Sequence, residues 1–491
     1  MSGNISDYKN QFLSGNIDED TAAFKDIFKN NDVLRVRAVE IGKSGTGAAF
    51  FYFDGMVNNE ILNQSVIRSM VTARVPKDKT PDYIYVSENI LFAGEVSSSA
   101  DVSEMLCSML YGDTVLIIDG SKTALIINTK GWRTRGIDEP SDERILQGPR
   151  EGFDEAAMLN LALIRRKLLT PDLCMEMLRV GRRTQTAVFI CYLGGLADKN
   201  MVEKLKKRIQ KIDIDGILDS NYIAEHINER KPSLLKTIGT TERPDIVAAR
   251  LLEGRVAVVV DGTPVVLTLP YLFSENFQSD EDYYQNFTVS FIGRILRYIC
   301  FFLAVSVPAA FVALTAFHQN LLPTPFVLAV SRLREGVPMA TVAECFMLIL
   351  VFEILKETGI RAPQSQGSAL SIVGGLVVGQ AAVEAKIVSA PTLIIVALSG
   401  IAGLMVPRLK GIIFYLKILL LLASALFGLY GYIALWTVFV MRVLSLKSFH
   451  TDYTFSLRRA SFQQLKDTFF RAPWPKMKLR PPFNRNIRRQ R

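Results

Sequence analysis

The chain has 491 residues, 49% of them apolar and 21% charged, with a mean hydropathy of +0.22 and a net charge of +9. That apolar content, the modest Gly and Pro counts and only five Cys exclude collagen-like, disordered, coiled-coil and small disulfide-scaffold classes. The charge is uneven: residues 1–290 carry −7, residues 291–441 +5 and residues 442–491 +11. The basic excess therefore belongs mainly to the tail, and a nucleic-acid surface is not expected.

The first residues, MSGNISDYKNQF, lack the apolar run of a signal peptide, so the N-terminal domain is expected on the cytoplasmic side. After an N-terminal segment (1–26), residues 33–41 and 48–53 read as strands flanking Gly42-Lys43-Ser44-Gly45-Thr46-Gly47. A phosphate loop would need Gly where Arg37 stands, so this stretch reads as a glycine-rich turn. Asp101–Thr129 and Arg243–Pro270 share one pattern: amphipathic helix, Gly stop, apolar strand, Asp-Gly turn, second strand. Gly112, Asp119 and Gly120 match Gly254, Asp261 and Gly262 at a constant offset. Asp-Gly between β-branched runs signals a hairpin. Two related α/β subdomains are expected, over 27–150 and 151–290. Met201–Gln210 reads as a basic helix with a solvated face, and Cys107, on an apolar helical pattern, as a core residue.

From residue 291 the chain becomes apolar on a membrane scale. Tyr298–Ser331, Ile387–Pro407 and Ile418–Met441 carry no Asp, Glu, Lys or Arg, and about 20 apolar residues span a bilayer core. Membrane segments are expected at 298–317, 338–355, 368–386, 389–407 and 415–441. The expected class is thus α+β/α, a two-subdomain soluble domain followed by an α-helical multi-pass membrane domain (291–441) and a basic tail (442–491). The topology carries a conflict. Arg408 and Lys410 mark the loop before the last segment as inside, and so do the tail's thirteen basic residues. One crossing cannot join two inside ends, so either a segment is re-entrant or the tail's charge is overridden.

No catalytic or metal constellation emerges. His226, His318 and His450 are far apart in sequence, and no HExxH, GxSxG or CxxC pattern occurs; an enzyme and a cofactor are not expected. The third membrane segment carries the most information. Ser371, Gly375, Gly379 and Ala382 share one helical face suited to close packing. Val373, Val377, Gln380 and Glu384 share the opposite face, which around an axis would give an apolar gate and a polar, cation-attracting mouth. Glu384 near Lys386 could instead reach the interface, and Gln380 could serve a helix–helix hydrogen bond. Glu353 has Lys356 one turn on and reads as an ion pair. Glu344 has no partner nearby in sequence and is a candidate for an inter-helix contact or an ion path. Arg297 is expected to snorkel. The basic, aromatic tail fits an anionic lipid surface.

The order of motifs carries a resemblance. Gly148-Pro149-Arg150-Glu151-Gly152-Phe153, Glu253-Gly254-Arg255-Val256, Arg334-Glu335-Gly336-Val337-Pro338 and Phe352-Glu353-Ile354-Leu355-Lys356-Glu357-Thr358-Gly359 occur in sequence. Val378-Gly379-Gln380-Ala381-Ala382-Val383 and Arg471-Ala472-Pro473-Trp474 follow. Together they resemble the A subunits of GerA-type spore germination receptors, from about residue 30 to about 480. The resemblance implies a spore inner-membrane protein forming a homo-oligomer, a pentamer, with a transporter-like B subunit and a lipoprotein C subunit. It further implies an ion-release role in answer to a nutrient. A stage V sporulation accessory paralogue shares the pattern; a non-conducting scaffold and a solute transporter are the alternatives.

Overall fold

The computed structural model describes residues 5–76, 80–131, 147–228, 234–361, 379–449, 451–454, 467–468, 471–477 and 480. The chain forms two compact units, one holding most of the residues up to Tyr271, the other formed chiefly by Leu272–Met477.

The first unit contains the two related subdomains. In the first, β1 (Leu34–Glu40), β2 (Gly47–Phe53), β3 (Val96–Ser99), β4 (Thr114–Ile118) and β5 (Ala124–Ile127) form a sheet of order β1-β2-β4-β5-β3. In the second, β6 (Leu173–Val180), β7 (Thr186–Leu193), β8 (Gly239–Thr241), β9 (Val256–Val260) and β10 (Val266–Leu269) repeat that order as β6-β7-β9-β10-β8. Every pairing in both sheets is antiparallel. The central strands β4, β5, β9 and β10 are buried throughout, so they read as continuous apolar runs rather than alternating ones.

Helices α1 (Ile17–Ile27), α2 (Val102–Leu110), α3 (Ala157–Lys167), α4 (Lys199–Gln210) and α5 (Pro244–Leu252) accompany these sheets. One apolar cluster runs through both subdomains, joining Phe51, Met105 and Ile117 to Leu161, Phe189 and Val259. The two repeats therefore fold around a common core. Cys107 does not belong to it. Helix α2 buries Val102, Met105, Leu106, Met109 and Leu110, and position 107 lies on the opposite face at 100° per residue; its thiol is exposed, which corrects the core assignment. The Gly42–Gly47 stretch is the β1–β2 turn, closed by Ile41 N–H donating to the Thr46 carbonyl. Helix α4 buries Met201, Val202, Leu205 and Ile209, while Lys206 pairs with Glu176 at 2.6 Å.

The second unit is helical: α6 (Phe287–Val312), α7 (Thr324–Leu333), α8 (Thr341–Arg361), α9 (Ala390–Leu404) and α10 (Lys410–Ser445). Phe287–Phe317 and Pro407–Ser445 are long and apolar enough to cross a membrane. The second of these is not one rod. Gly428 has φ 58° and ψ −138°, which interrupts α10, and Gly431 abuts the carbonyl of Ala423. In a continuous helix those residues would be separated by about 12 Å of rise. The chain therefore folds back, giving an outgoing leg (410–427) and a return leg (429–445).

Contacts along α6 confirm the reversal. Ile413 and Ala304 both lie against Gly403, and Gly428 lies against Phe317 and His318. Trp436, past the turn, stacks on Phe302 at 5.6 Å and donates to Ser306. Both ends of the hairpin reach the segment where the chain enters this unit. Arg408 binds Asp280 and the carbonyls of Glu275 and Gln278, and Tyr453 binds Phe273 and Asn276.

Candidate functional site

Of the face predicted to pack in the third segment, Ser371 and Gly375 lie outside the described residues, as do Val373 and Val377 of the opposite face. Residues 379–384 are helical. Gly379 is buried against Leu393 of α9, where a Cβ would come 3.6 Å from the leucine methyl. Ala382 is partly buried against a cluster holding Val388 and Val396. On the other side Gln380 and Glu384 are exposed, and the amide donates to the carboxylate at 2.8 Å. The described part of this segment thus has small residues turned inward and a polar pair turned out.

Glu344 and Glu353 occupy different surroundings. Glu344 is fully buried near the start of α8. One oxygen pairs with Arg334 at 3.1 Å, and the other accepts from Ser389 N–H and Oγ at 2.9 and 2.7 Å. Ser389 Oγ is also within 2.8 Å of Thr392. The carboxylate joins the α7–α8 turn to the first residues of α9, an inter-helix contact with its charge neutralised. Sequence proximity could not reveal this, because both partners come from beyond one helical turn. Glu353 pairs with Lys356 at 3.2 Å and is partly exposed.

A third polar group was not anticipated. Arg294, fully buried in α6, pairs with Asp282 and Asp467, each at 3.1 Å. Arg297 binds the same Asp282 at 2.5 Å and the Phe277 carbonyl at 2.6 Å. It does not extend outward as expected, because Asp282 lies within reach and gives it a partner. Tyr283 donates to the Asp467 carboxylate at 3.0 Å, and Gln278 donates to the Asp467 carbonyl at 2.7 Å. Arg471 donates to the Gln285 carbonyl at 2.9 Å. Two residues of the tail therefore seal the start of α6. The signal in the sequence is a pair of arginines one turn apart at the head of an apolar helix, with DED just before it; Asp467 gives no local sign.

The described residues contain no group of three or more His, Cys, Asp or Glu placed to hold a metal. His226 and His318 each bond a backbone carbonyl of their own segment.

An antiparallel two-repeat α+β unit is thus followed by a helical unit with two stretches long and apolar enough to cross a membrane. Residues 22–483 match the family model described as Bacillus/Clostridium GerA spore germination protein, and the chain belongs to that family. It is 38% identical to spore germination protein KA of Bacillus subtilis (strain 168) over 93% of this chain and 84% of that protein. It is 27% identical to stage V sporulation protein AF of the same organism, over 88% and 87%. A crystal structure of the N-terminal domain of the A subunit of the Bacillus megaterium spore germinant receptor GerK3 aligns at 33% identity. That alignment covers 54% of this chain and 98% of the other, with a TM-score of 0.43.

Proposed function

We propose that this protein is the A subunit of a nutrient germinant receptor in the spore inner membrane, and that as a homo-oligomer it forms or gates an ion channel that starts germination. Family membership over nearly the whole chain supports the receptor reading, and the identity to protein KA exceeds that to the stage V protein. The channel reading rests on the different surroundings of two carboxylates. Glu344 is buried and neutralised by Arg334. Glu384 is exposed beside Gln380, and the Arg and Lys side chains of the described residues make no ion pair with it within 4.0 Å. An exposed carboxylate at the end of an apolar segment attracts cations when repeated around an axis.

In this reading the N-terminal unit lies on the spore-core side and assembles the oligomer or passes on the signal. A B subunit and a lipoprotein C subunit complete the receptor, and the basic tail lies on anionic lipid. The helical unit would be multi-pass, with about five hydrophobic segments.

The full chain reconstituted in liposomes, alone and with its partner subunits, tests this. Cation efflux and an oligomeric mass are expected. Glu384→Gln should reduce cation flux several-fold without loss of assembly. A monomer that never conducts, with or without partners, refutes the channel.

A further inference from the structure

Between α6, the return leg of α10 and the C-terminal segment lies a cavity of about 270 Å³ that is open on one side, where Phe302, Val440 and Leu444 are about half exposed. Among the described residues, no charged side chain lines it. Its walls are mainly aromatic: Phe302 stacked with Trp436 on one side, and Phe277 with Tyr298, 4.0 Å between ring centres, on another. Val440 of the return leg faces it as well. A dry apolar cavity of about 150 Å³ already holds benzene, so this space is large enough for a substituted ring or a short branched chain.

Ser274, Tyr298 and Thr468 bring hydroxyl-bearing side chains to the wall, and one further hydroxyl stands apart. Thr454, 1% exposed, lines the cavity, and its Oγ1 has no hydrogen-bond partner. A buried hydroxyl without a partner is costly, and such groups in folded proteins point to a missing ligand or water. Ligand pockets combine apolar walls with a few polar groups that fix orientation, and the cavity has that composition.

We propose that this cavity is a binding site for a small uncharged molecule, mostly aromatic or branched aliphatic, carrying one hydrogen-bonding group that Thr454 receives. The described wall offers no cation or carboxylate, so ions, phosphates and zwitterionic amino acids would be desolvated there without compensation, which disfavours them. An occupant would touch α6, the return leg and the C-terminal segment at once, so it would couple the helical hairpin to the tail contacts of the same unit. This site is independent of the channel reading.

The test uses the full chain in lipid nanodiscs, with empty nanodiscs as reference. Benzyl alcohol, toluene and benzoate are the probes, followed by saturation-transfer NMR and calorimetry. Benzyl alcohol should bind saturably and about fivefold more tightly than toluene, the difference of one net hydrogen bond; benzoate should not bind. Thr454→Val should bring benzyl alcohol to the level of toluene and leave toluene unchanged. Val440→Phe, which fills the space, should abolish the saturable component for both. Binding no greater than to empty nanodiscs, or an unchanged preference for the alcohol in Thr454→Val, overturns the proposal.

Discussion

Asp119 and Asp261 do the same work in the two subdomains of the first unit. Asp119 Oδ1 accepts from Ile17 N–H at 3.3 Å, and Asp261 Oδ1 accepts from Ala157 N–H at 3.0 Å. The glycine after each donates its N–H to a carbonyl two residues before the same helix, Gly15 and Glu155. Each Asp-Gly turn therefore joins β4–β5 or β9–β10 and also caps the first helix of its own repeat. The repeat is one of interactions as well as of sequence.

Asp119→Ala and Asp261→Ala should each cost about 1 kcal/mol of stability, the usual worth of an N-terminal helix cap. The two losses should add in the double variant, because the sites share no partner. Chemical denaturation followed by circular dichroism measures this; a loss at only one of the sites would contradict equivalent roles.

The buried ion cluster predicts asymmetric effects in the second unit. Arg294→Met strands Asp467 from the only cation that pairs with it among the described residues but leaves Asp282 with Arg297. Removing one partner of a buried pair costs about 3–5 kcal/mol. Asp467→Asn keeps the carbonyl bonds to Arg294 and Gln278 and should cost less. Limited proteolysis should show the 446–477 segment cut faster in Arg294→Met than in Asp467→Asn.

Glycine is required at position 428. Its φ of 58° and ψ of −138° suit no L side chain, and a Cβ there would come 2.9 Å from both Phe317 and His318. Gly428→Val should lower thermal stability and open the hairpin. With the native hairpin, cysteines placed at Lys410 and Lys447 in a cysteine-free background should be labelled by an impermeant reagent from the same side of a vesicle. Labelling from opposite sides would refute the hairpin as a membrane element.

Alkaline pH should weaken the first unit. Burial pushes the Cys191 thiol up from an ordinary value of 9.0 to about 12, and burial followed by the bond to Glu176 raises Tyr192 as well. Both groups release protons more readily when unfolded, so their contribution is complete below about pH 9 and is lost as pH rises toward 12. For Cys191 the loss at pH 11 is about 2–3 kcal/mol. Thermal melts of Cys191→Ala should therefore fall less steeply between pH 9 and 11 than those of the unaltered chain.

Local pattern determined much of this protein. Asp-Gly between β-branched runs placed two hairpins, their constant offset exposed the duplication, and uncharged runs marked the helical unit. Each rests on the 3.6- or 2-residue periods and on turn chemistry, which act between near neighbours. The common core of the repeats, the partners of Glu344 and the Arg294–Asp467 bond depend on residues 10 to 173 positions apart in the chain. No local signal encodes such pairs.

The net charge of +9 illustrates the same division. Its split into an acidic domain, an apolar block and a basic tail is a property of the sequence. The conflict it raised, Arg408 and the tail both marked as inside with one apolar segment between them, meets a chain reversal that only tertiary structure shows. Gly428 turns α10 back on itself, so Arg408 and Tyr453 both bind the segment 273–280. Hydropathy records how long an apolar run is; where that run reverses depends on one residue's dihedrals and on the helix packed beside it.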